Sequence, residues 1–385
     1  MPYASYLYPM AHPLKKTEWI VIAVTWAAIQ MVFLFIMGIN DGEEARKYIS
    51  AAQRILDGTM NFSLHNIWYS GYIALHILVA LMGLPVEGMY VVQLVLSFVS
   101  LVHFVKLLSM WVNERWTLII SALLYATCFI IQQWVAHLYT DTVFYMLLVI
   151  ATYYLVTAQN SLANKTICCI FILLLPFFRP VGLLFVLLAC IHWLTESPRK
   201  NRWLIFSSLA YFSLLLYLAL SSLDPTNGYY YPLHNAEANI ICGYESGLLR
   251  YQTSPYEQDK SILHYFINNP GLTLRLFTAR LIKVFDLTRP FFSTIHNVSI
   301  AISSVVYYCL ALVGITSILK RKQCNRFVLM WGTVLFAAPS VMFCVEWHGR
   351  MSLPVICYVL VLAGIGVDEI ASNVRRRMGA VKGEK

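Results

Sequence analysis

Long apolar runs recur through this chain and constrain its fold more than any other feature. Most are about 20 residues long, the length needed to cross a hydrocarbon core about 30 Å thick. Only 12% of the residues are charged and the mean hydropathy is +0.65, whereas soluble domains carry about 25% charge. The runs are continuously apolar, which favours helices over the alternating strands of a membrane barrel. The sequence therefore predicts an all-α polytopic membrane protein.

The runs predict about ten transmembrane helices. Their boundaries are 19–39, 88–110, 116–135, 141–158, 166–178, 180–195, 203–222, 295–318, 327–345 and 352–369. The run 71–84 has about 14 residues, which is short for a span and suits a re-entrant or interfacial segment. Counting it as an eleventh span would place the later Lys and Arg clusters opposite Lys15 and Lys16. The positive-inside rule therefore favours ten spans with both termini cytoplasmic.

This topology predicts a single transmembrane domain over 1–385 with two long extracytoplasmic loops, 40–87 and 223–293. The net charge of +9 gathers at helix ends, where it sets topology and does not indicate nucleic-acid binding. The nine cysteines contain no C-x-x-C pair, so neither a disulfide framework nor a zinc site is predicted. Chemistry is expected on the extracytoplasmic (periplasmic) face of an inner or plasma membrane.

The first loop opens with an acidic segment and an amphipathic helix. Asp41, Glu43 and Glu44 follow the first apolar run directly, where a membrane helix would emerge into water. From Tyr48 the apolar residues share one helical face, which favours a helix lying along a membrane surface. Asp41 has two interpretations: it caps this helix, with Glu44 completing a capping box and Gly58 ending it, or it accepts a proton in catalysis.

Further charged residues fall at the predicted outer boundary, where ionisable groups are costly and often functional. Asp141 precedes the fourth span, where it either caps the helix or binds a cationic partner. Arg179 separates two short apolar runs, so it can pair with Asp141 or Asp41 or bind a phosphate. Arg350 in the last tight turn is a second phosphate candidate, and His348 beside it is more typical of a surface residue than of a catalyst.

The second loop contains a predicted surface helix that opens at Pro270. Its cationic residues Arg275, Arg280 and Lys283 are expected to point towards lipid headgroups or towards a bound phosphate. Simple anchoring to the membrane is the alternative interpretation of this helix.

In these motifs the chain resembles the GT-C superfamily of integral-membrane glycosyltransferases. The branch it resembles uses polyprenyl-phosphate sugars and includes protein O-mannosyltransferases and the aminoarabinose transferase of lipid A. The motifs are D-x-E-x-A-x-x-Y from Asp41 to Tyr48, Thr140-Asp141, R-P-x-G from Arg179, and H-G-R-x-x-x-P from His348 to Pro354. Their order runs across nearly the whole chain.

The resemblance implies an inverting transfer of a sugar from a lipid-linked donor to an acceptor hydroxyl. Asp41 would be the general base, and Asp141, with Glu43 or Glu44, would complete the catalytic set. Cationic side chains would stabilise the leaving lipid phosphate; the candidates are Arg350, Arg179, Arg280 and His348. The acceptor stays open among glycans, lipids and proteins. The resemblance implies no cofactor with certainty and leaves a divalent cation open, although the sequence contains no clear His/Asp ligand cluster.

Two departures and two alternatives accompany this resemblance. Neither a large C-terminal soluble domain nor extra repeats are expected after the ten predicted spans, and the second acidic residue is ambiguous between Glu43 and Glu44. An O-antigen polymerase or ligase would also act on lipid-linked glycans at the outer face, but without an aspartate after the first span. A lipid or polysaccharide flippase would need midplane charges and inverted repeats, which the sequence does not display.

Overall fold

The structure is a computed structural model that describes residues 14–59, 63–196, 198–221, 240, 270–321, 326–339 and 349–383. Most of the predicted second loop and all of the segment 340–348, including His348, lie outside these ranges. The backbone of Glu43 is described, and its side chain is not.

The described residues form helices, with a single backbone bridge and no strand. The helices of the first half are α1 (Lys16–Met37), α2 (Glu43–Leu56), α3 (Leu64–Trp68), α4 (Ser70–Leu81), α5 (Gly88–Ser109), α6 (Arg115–Thr127), α7 (Phe129–Gln132), α8 (Thr140–Thr157) and α9 (Leu162–Phe178). The later helices are α10 (Leu183–Glu196), α11 (Pro198–Ser221), α12 (Pro270–Phe285), α13 (Thr294–Arg321), α14 (Phe327–Ala337) and α15 (Leu353–Gly383). The predicted all-α class is confirmed.

Several of these helices are compatible with a multi-pass membrane protein. Five of the described helices are long and apolar enough to cross a membrane, namely α1, α5, α8, α13 and α15. The count becomes six if the bent pair α6 and α7 forms one span. Helices α4, α9, α10 and α14 are apolar but shorter. The 12 residues of α4 agree with the expectation that 71–84 is short for a span.

Helix α15 forms the centre of the bundle, whereas α1 lies at its edge. In their most apolar 18-residue windows, 89% of the residues are buried for α15 and 11% for α1. Helix α15 packs most extensively against α13. A Cβ atom at Gly314 of α13 would collide with the carbonyl of Leu362, and one at Gly366 of α15 would collide with the carbonyl of Leu310. Small residues of this kind allow two apolar helices to approach backbone to backbone.

The predicted span 116–135 is broken rather than continuous. Cys128 adopts an extended conformation between α6 and α7, and the two pieces meet at a bend of 43°. The bend exposes a backbone carbonyl of α6, and the side chain of Gln132 donates a hydrogen bond to the Tyr125 carbonyl at 3.0 Å. The same carbonyl also accepts from the Cys128 amide at 3.3 Å, so the buried side-chain amide adds a second donor to it at the break.

A second break separates α9 from α10, and this one follows from the sequence. Arg179 is extended (φ −164°, ψ 138°) because proline at the next position disfavours a helical conformation there. Pro180 then opens a 3-10 turn, Pro180–Gly182, as its first residue. The predicted break between the runs 166–178 and 180–195 is confirmed.

Helices are present at both positions where the sequence predicts a surface helix. Helix α2 buries Ala45, Tyr48, Ala51 and Ala52, and its charged face is exposed, as predicted. It ends at Leu56, and Gly58 (φ 67°) turns the chain just after it, where the Thr59 amide donates to the carbonyl of Arg54 at 2.9 Å. Helix α12 begins at Pro270, as the sequence predicts. Helix α2 packs against α4, and α12 packs against the turn Arg350–Ser352.

Candidate functional site

The segment after α1 is joined to the segment before α8 by the one backbone bridge of the described chain. The Asn40 amide donates to the carbonyl of Ala136 at 2.8 Å, and the Leu138 amide donates to the carbonyl of Asn40 at 2.9 Å. These two hydrogen bonds bring the acidic start of α2 beside the start of α8. Asp41 and Asp141, which are far apart in sequence, therefore belong to one end of the bundle.

Buried glutamines hold this end in place. The Gln93 amide, fully buried in α5, donates to the carbonyls of Val135 and His137 at 2.8 and 2.9 Å. Gln30 of α1 donates to Gln132 at 2.6 Å. Amide side chains in apolar surroundings are costly unless they are hydrogen-bonded, and here Gln93 and Gln132 each donate and accept. The sequence interpretation did not single them out, although a glutamine inside an apolar run was the available signal.

The first pair of the site joins Asp141 to Arg179. Asp141 lies in the first turn of α8 with 1% of its side chain exposed, and Arg179 occupies the break between α9 and α10 with 13% exposed. The predicted pairing of these two residues is confirmed. Asp141 does not cap α8, because Tyr139 occupies the N-cap position and the helix start has no side-chain cap. Burial lowers the pKa of the Arg179 guanidinium, and the nearby charge of Arg350 lowers it further.

The second pair joins Arg350 to Glu44 and connects it to the first. Arg350 forms an ion pair with Glu44, and its Nη1 lies 3.7 Å from Oδ2 of Asp141. The guanidinium also lies over the ring of Tyr139, 5.1 Å from the centroid, which is a cation–π contact. Glu44, Asp141, Arg179 and Arg350 are hereafter called the arginine–carboxylate cluster. Four segments that are distant in sequence supply its two cations and two anions.

Aromatic side chains enclose this cluster. Tyr48 of α2 is buried, its hydroxyl is hydrogen-bonded to Thr140, and its ring lies 5.1 Å from that of Tyr69 and 5.5 Å from that of Tyr72. Burial raises the pKa of Tyr48, so the phenol stays neutral. The apolar face of α2 therefore both packs the surface helix and lowers the local polarity around the ion pairs.

Asp41 stands at the start of this arrangement and is exposed. The capping interpretation is wrong: the N-cap of α2 is Gly42, which has no side-chain cap, and the Asn40 side chain accepts the hydrogen bond of the Gly42 amide at 2.8 Å. Glu44 pairs with Arg350 instead of completing a capping box. Among the described residues none forms an ion pair or hydrogen bond with the Asp41 carboxylate.

The remaining predicted residues have different outcomes. Arg280 is buried in α12, with 2% exposed, so it does not point towards lipid headgroups; Arg275 of the same helix is exposed. The buried face of α12 carries Thr273, Leu276 and Arg280, while Leu274 and Ile282 face outward. His348 and the side chain of Glu43 lie outside the described part of the chain.

Arg289 was missed by the sequence interpretation. It has 1% exposure, and its Nη1 donates to the carbonyls of Asp286 and Thr288 at 2.8 and 2.9 Å. Its Nη2 would be 3.2 Å from a Cβ at Gly349, the residue that precedes Arg350. Gly349 has φ 76°, a conformation that suits glycine. Arg289 follows α12 in a polar connection, where a solvated arginine is the ordinary expectation, so no sequence signal marked it.

The described residues contain no group of three or more His, Cys, Asp or Glu side chains that could hold a metal ion. In the cluster, each carboxylate is already paired with an arginine. Hard divalent cations prefer several oxygen ligands without competing cations, so this donor set does not fit such an ion.

The end of the bundle that carries Asp41 and the arginine–carboxylate cluster is therefore the candidate site. Comparison of the chain with protein-family models, with curated proteins and with solved structures finds no match.

Proposed function

We propose that this chain is an integral-membrane glycosyltransferase that moves a sugar from a polyprenyl-phosphate donor to an acceptor hydroxyl. The observation that carries the proposal is the arginine–carboxylate cluster. Burying two cations and two anions stabilises a protein little compared with apolar packing. Such a concentration of ionised groups at the end of apolar helices is typical of a site that handles a charged ligand.

Asp41 is the proposed general base. The other described acidic candidates, Glu44 and Asp141, are each paired with an arginine, whose guanidinium occupies the carboxylate that would have to accept a proton. The Asp41 carboxylate is exposed and makes no such pair with a described residue. It would remove the proton of the acceptor hydroxyl as that oxygen attacks the anomeric carbon. General-base assistance of this kind contributes about 10²–10⁴-fold.

The arginines are proposed to bind the donor phosphate. As the new bond to the anomeric carbon forms, the bond from that carbon to the phosphate oxygen breaks with inversion, and the electron pair stays on the lipid phosphate. Arg350 is the first candidate to stabilise that charge, since its partner Glu44 is the more exposed carboxylate of the cluster (26%, against 1% for Asp141) and since it lies at a helix start. Asp141 would hold Arg179 in position, and Arg280 is a further candidate from α12.

We also propose that the chain crosses the membrane about ten times with this site on the extracytoplasmic face. The shorter apolar helices would supply the crossings beyond the five or six long ones. Cysteines introduced at the exposed Gln53 and Arg376 would test the sidedness in intact cells. Labelling by an impermeant maleimide, measured above the wild-type background, is expected at position 53 and not at position 376; the reverse pattern would overturn the topology.

Sugar transfer tests the activity directly. The full chain in lipid nanodiscs would be supplied with radiolabelled polyprenyl-phosphate sugars and a membrane acceptor extract. We expect transfer by the wild type and a loss of about 10²–10³-fold in kcat/KM for Arg350→Gln, the effect of removing one donor from a developing anion. Arg375→Gln, an exposed arginine outside the site, is the matched control. Absence of transfer from every donor would overturn the proposal and make transport the next activity to assay.

A further inference from the structure

Helix α15 begins at the arginine–carboxylate cluster. Gly349 turns the chain (φ 76°), Arg350–Ser352 form one 3-10 turn, and α15 continues from Leu353. The Ser352 and Leu353 amides already donate to the carbonyls of Gly349 and Arg350, and Pro354 has no N–H. What this helix start offers an anion is therefore the aligned peptide dipoles, which place about half a positive charge at this end. A start of this kind favours an anion, provided that other groups complete the site.

Ser352 supplies a second, independent observation. Its side chain has 1% exposure, and its Oγ has no hydrogen-bond partner. Buried hydroxyls are nearly always hydrogen-bonded, so a hydroxyl without a partner calls for a physical reason. Helical side chains tilt towards the helix N-terminus, which directs this hydroxyl towards the turn that contains Arg350. The hydroxyl is thus available to donate to a group bound at the helix start.

Two guanidinium groups flank the same turn. Arg350 contributes its own side chain, and Arg289 packs behind Gly349. Two carboxylates oppose an incoming anion: Glu44, which is paired with Arg350, and Asp141, whose Oδ2 is 3.7 Å from Arg350 Nη1. Asp141 is retained by Arg179. Glu44 lies on a surface helix with 26% of its side chain exposed, so it is the carboxylate that can leave the arginine and enter water.

We infer that the start of α15, with Ser352 Oγ and Arg350, is a subsite for a phosphate-type anion that displaces Glu44 from Arg350. The inference rests on the proposed function for its natural ligand, the phosphate of a lipid-linked donor. The chemistry recognised is that of a phosphate oxygen, which a lipid headgroup and a free phosphate share. Ser352 is a binding residue in this account and takes no part in proton transfer.

The experiment measures binding to the full chain in nanodiscs by isothermal titration calorimetry. The probes are farnesyl phosphate and inorganic phosphate, and the variants are Ser352→Ala, Ser352→Thr and Arg350→Gln. Ser121→Ala is the matched control, because Ser121 is equally buried but donates within its own helix to the Thr117 carbonyl at 2.8 Å. Thermal unfolding of each variant reports whether it is folded.

We expect Ser352→Ala to weaken probe binding about tenfold, the effect of losing one hydrogen bond to a charged group. Ser352→Thr retains the hydroxyl and is expected to restore binding, and Ser121→Ala is expected to bind as the wild type does. If both probes bind, the phosphate group is sufficient for recognition. If farnesyl phosphate binds and inorganic phosphate does not, the ligand is a lipid phosphate. Either result supports the subsite. Wild-type affinity in folded Ser352→Ala, or binding of neither probe to the wild type, would overturn it.

Failure of the phosphate subsite can be distinguished from failure of the proposed glycosyltransferase activity. Binding that depends on Ser352 without any sugar transfer would support the subsite and overturn the glycosyltransferase. Transfer that depends on Arg350, with an unchanged Kd and KM in Ser352→Ala, would support the enzyme and overturn the subsite.

Discussion

Arginine–carboxylate pairs lie at both ends of helix α15, but the exposure of their side chains differs between the two ends. At the start of the helix, Asp141 and Arg179 have 1% and 13% of their side chains exposed. At the far end, the pairs Glu114–Arg375 and Glu369–Arg321 include arginines that are 64% and 39% exposed. We call this far end, with Asp368 and the pair Glu18–Arg115, the basic end. Arg350 and Asp368 are 18 positions apart, or about 27 Å along a helix.

The one buried carboxylate of the basic end is also satisfied differently. Asp368, with 5% exposure, accepts hydrogen bonds from the amides of Asn113 and Glu114 at 3.2 Å and from the Asn113 side chain at 3.1 Å. Neutral donors of a loop therefore hold it, which is a structural use of a carboxylate. The arginine–carboxylate cluster instead keeps cations buried beside anions. The difference fits a structural role for the basic end and the ligand-binding role that we propose for the cluster.

The comparison predicts its largest effect at Asp141. Asp141→Asn leaves the buried Arg179 without its anion, and the expected loss in the free energy of unfolding is about 3–5 kcal/mol. The matched change at the basic end, Glu114→Gln, breaks a largely exposed pair and is expected to cost about 0–1 kcal/mol. Denaturant unfolding of both variants in detergent checks the difference. Equal losses would show that the two ends are energetically alike.

Asp368→Asn should have an intermediate effect. Asparagine retains one acceptor oxygen but loses the charge that strengthens three hydrogen bonds, so the expected loss is about 1–3 kcal/mol. The same unfolding measurement applies, and Asn113→Ala, which removes one donor, should cost less. A loss as large as that of Asp141→Asn would contradict the view that neutral donors hold Asp368.

Gly349→Ala is expected to have a smaller cost in stability with a clear effect on the site. A left-handed conformation costs an alanine about 1–2 kcal/mol, and the new Cβ would approach Arg289 Nη2 at 3.2 Å. Because Gly349 sets the direction of Arg350, binding of farnesyl phosphate should weaken more than the loss of stability accounts for. Gly271→Ala, where the added Cβ meets no atom within 4 Å, is the control.

The smallest effect is expected at Asp286, which is half-buried in a pair with Lys283 beside the cluster. Burial acts to raise its pKa, but hydrogen bonds from Lys283 and Thr288 outweigh this, so the pKa lies below its ordinary value. The pair therefore stabilises the fold above the unfolded pKa of about 3.9, and this stability is lost as pH falls through the lowered pKa. Melting temperatures of wild type and Asp286→Asn should differ at neutral pH and converge in acid. A constant difference at every pH would contradict the assignment.

The sequence predicted the helices, including α2 and α12, because apolar periodicity and proline are local signals. The bend at Cys128 was not predictable, because neither proline nor glycine marks it. The hydrogen bond from the Gln132 side chain to the Tyr125 carbonyl at this bend is visible only in the folded structure. The ten spans stay a prediction, because five or six of the described helices meet the length and apolarity needed.

The candidate site was also predicted only in part, because local signals mark some of its residues and not others. Arg179 and Asp141 were costly residues at a membrane boundary, which made their pairing foreseeable. Gln93 lies inside an apolar run, which was a signal, but its acceptors Val135 and His137 are distant in sequence. Arg289 lies in a polar connection, and nothing in the sequence around it indicates its burial. Asp41 was expected to share its role between cap and base. In the structure the Asn40 side chain, and not Asp41, accepts the hydrogen bond of the Gly42 amide. Sequence spacing alone does not decide which of these two neighbouring polar side chains accepts it.

Turnover by Asp41→Asn tests the central claim most directly. Sugar transfer from the polyprenyl-phosphate donor would be compared between wild type and this variant, with thermal unfolding measured on the same samples. Because Asp41 is exposed and caps no helix, the variant should unfold at the wild-type temperature while kcat falls about 10²–10⁴-fold. A folded Asp41→Asn variant that transfers sugar at the wild-type rate would contradict the account.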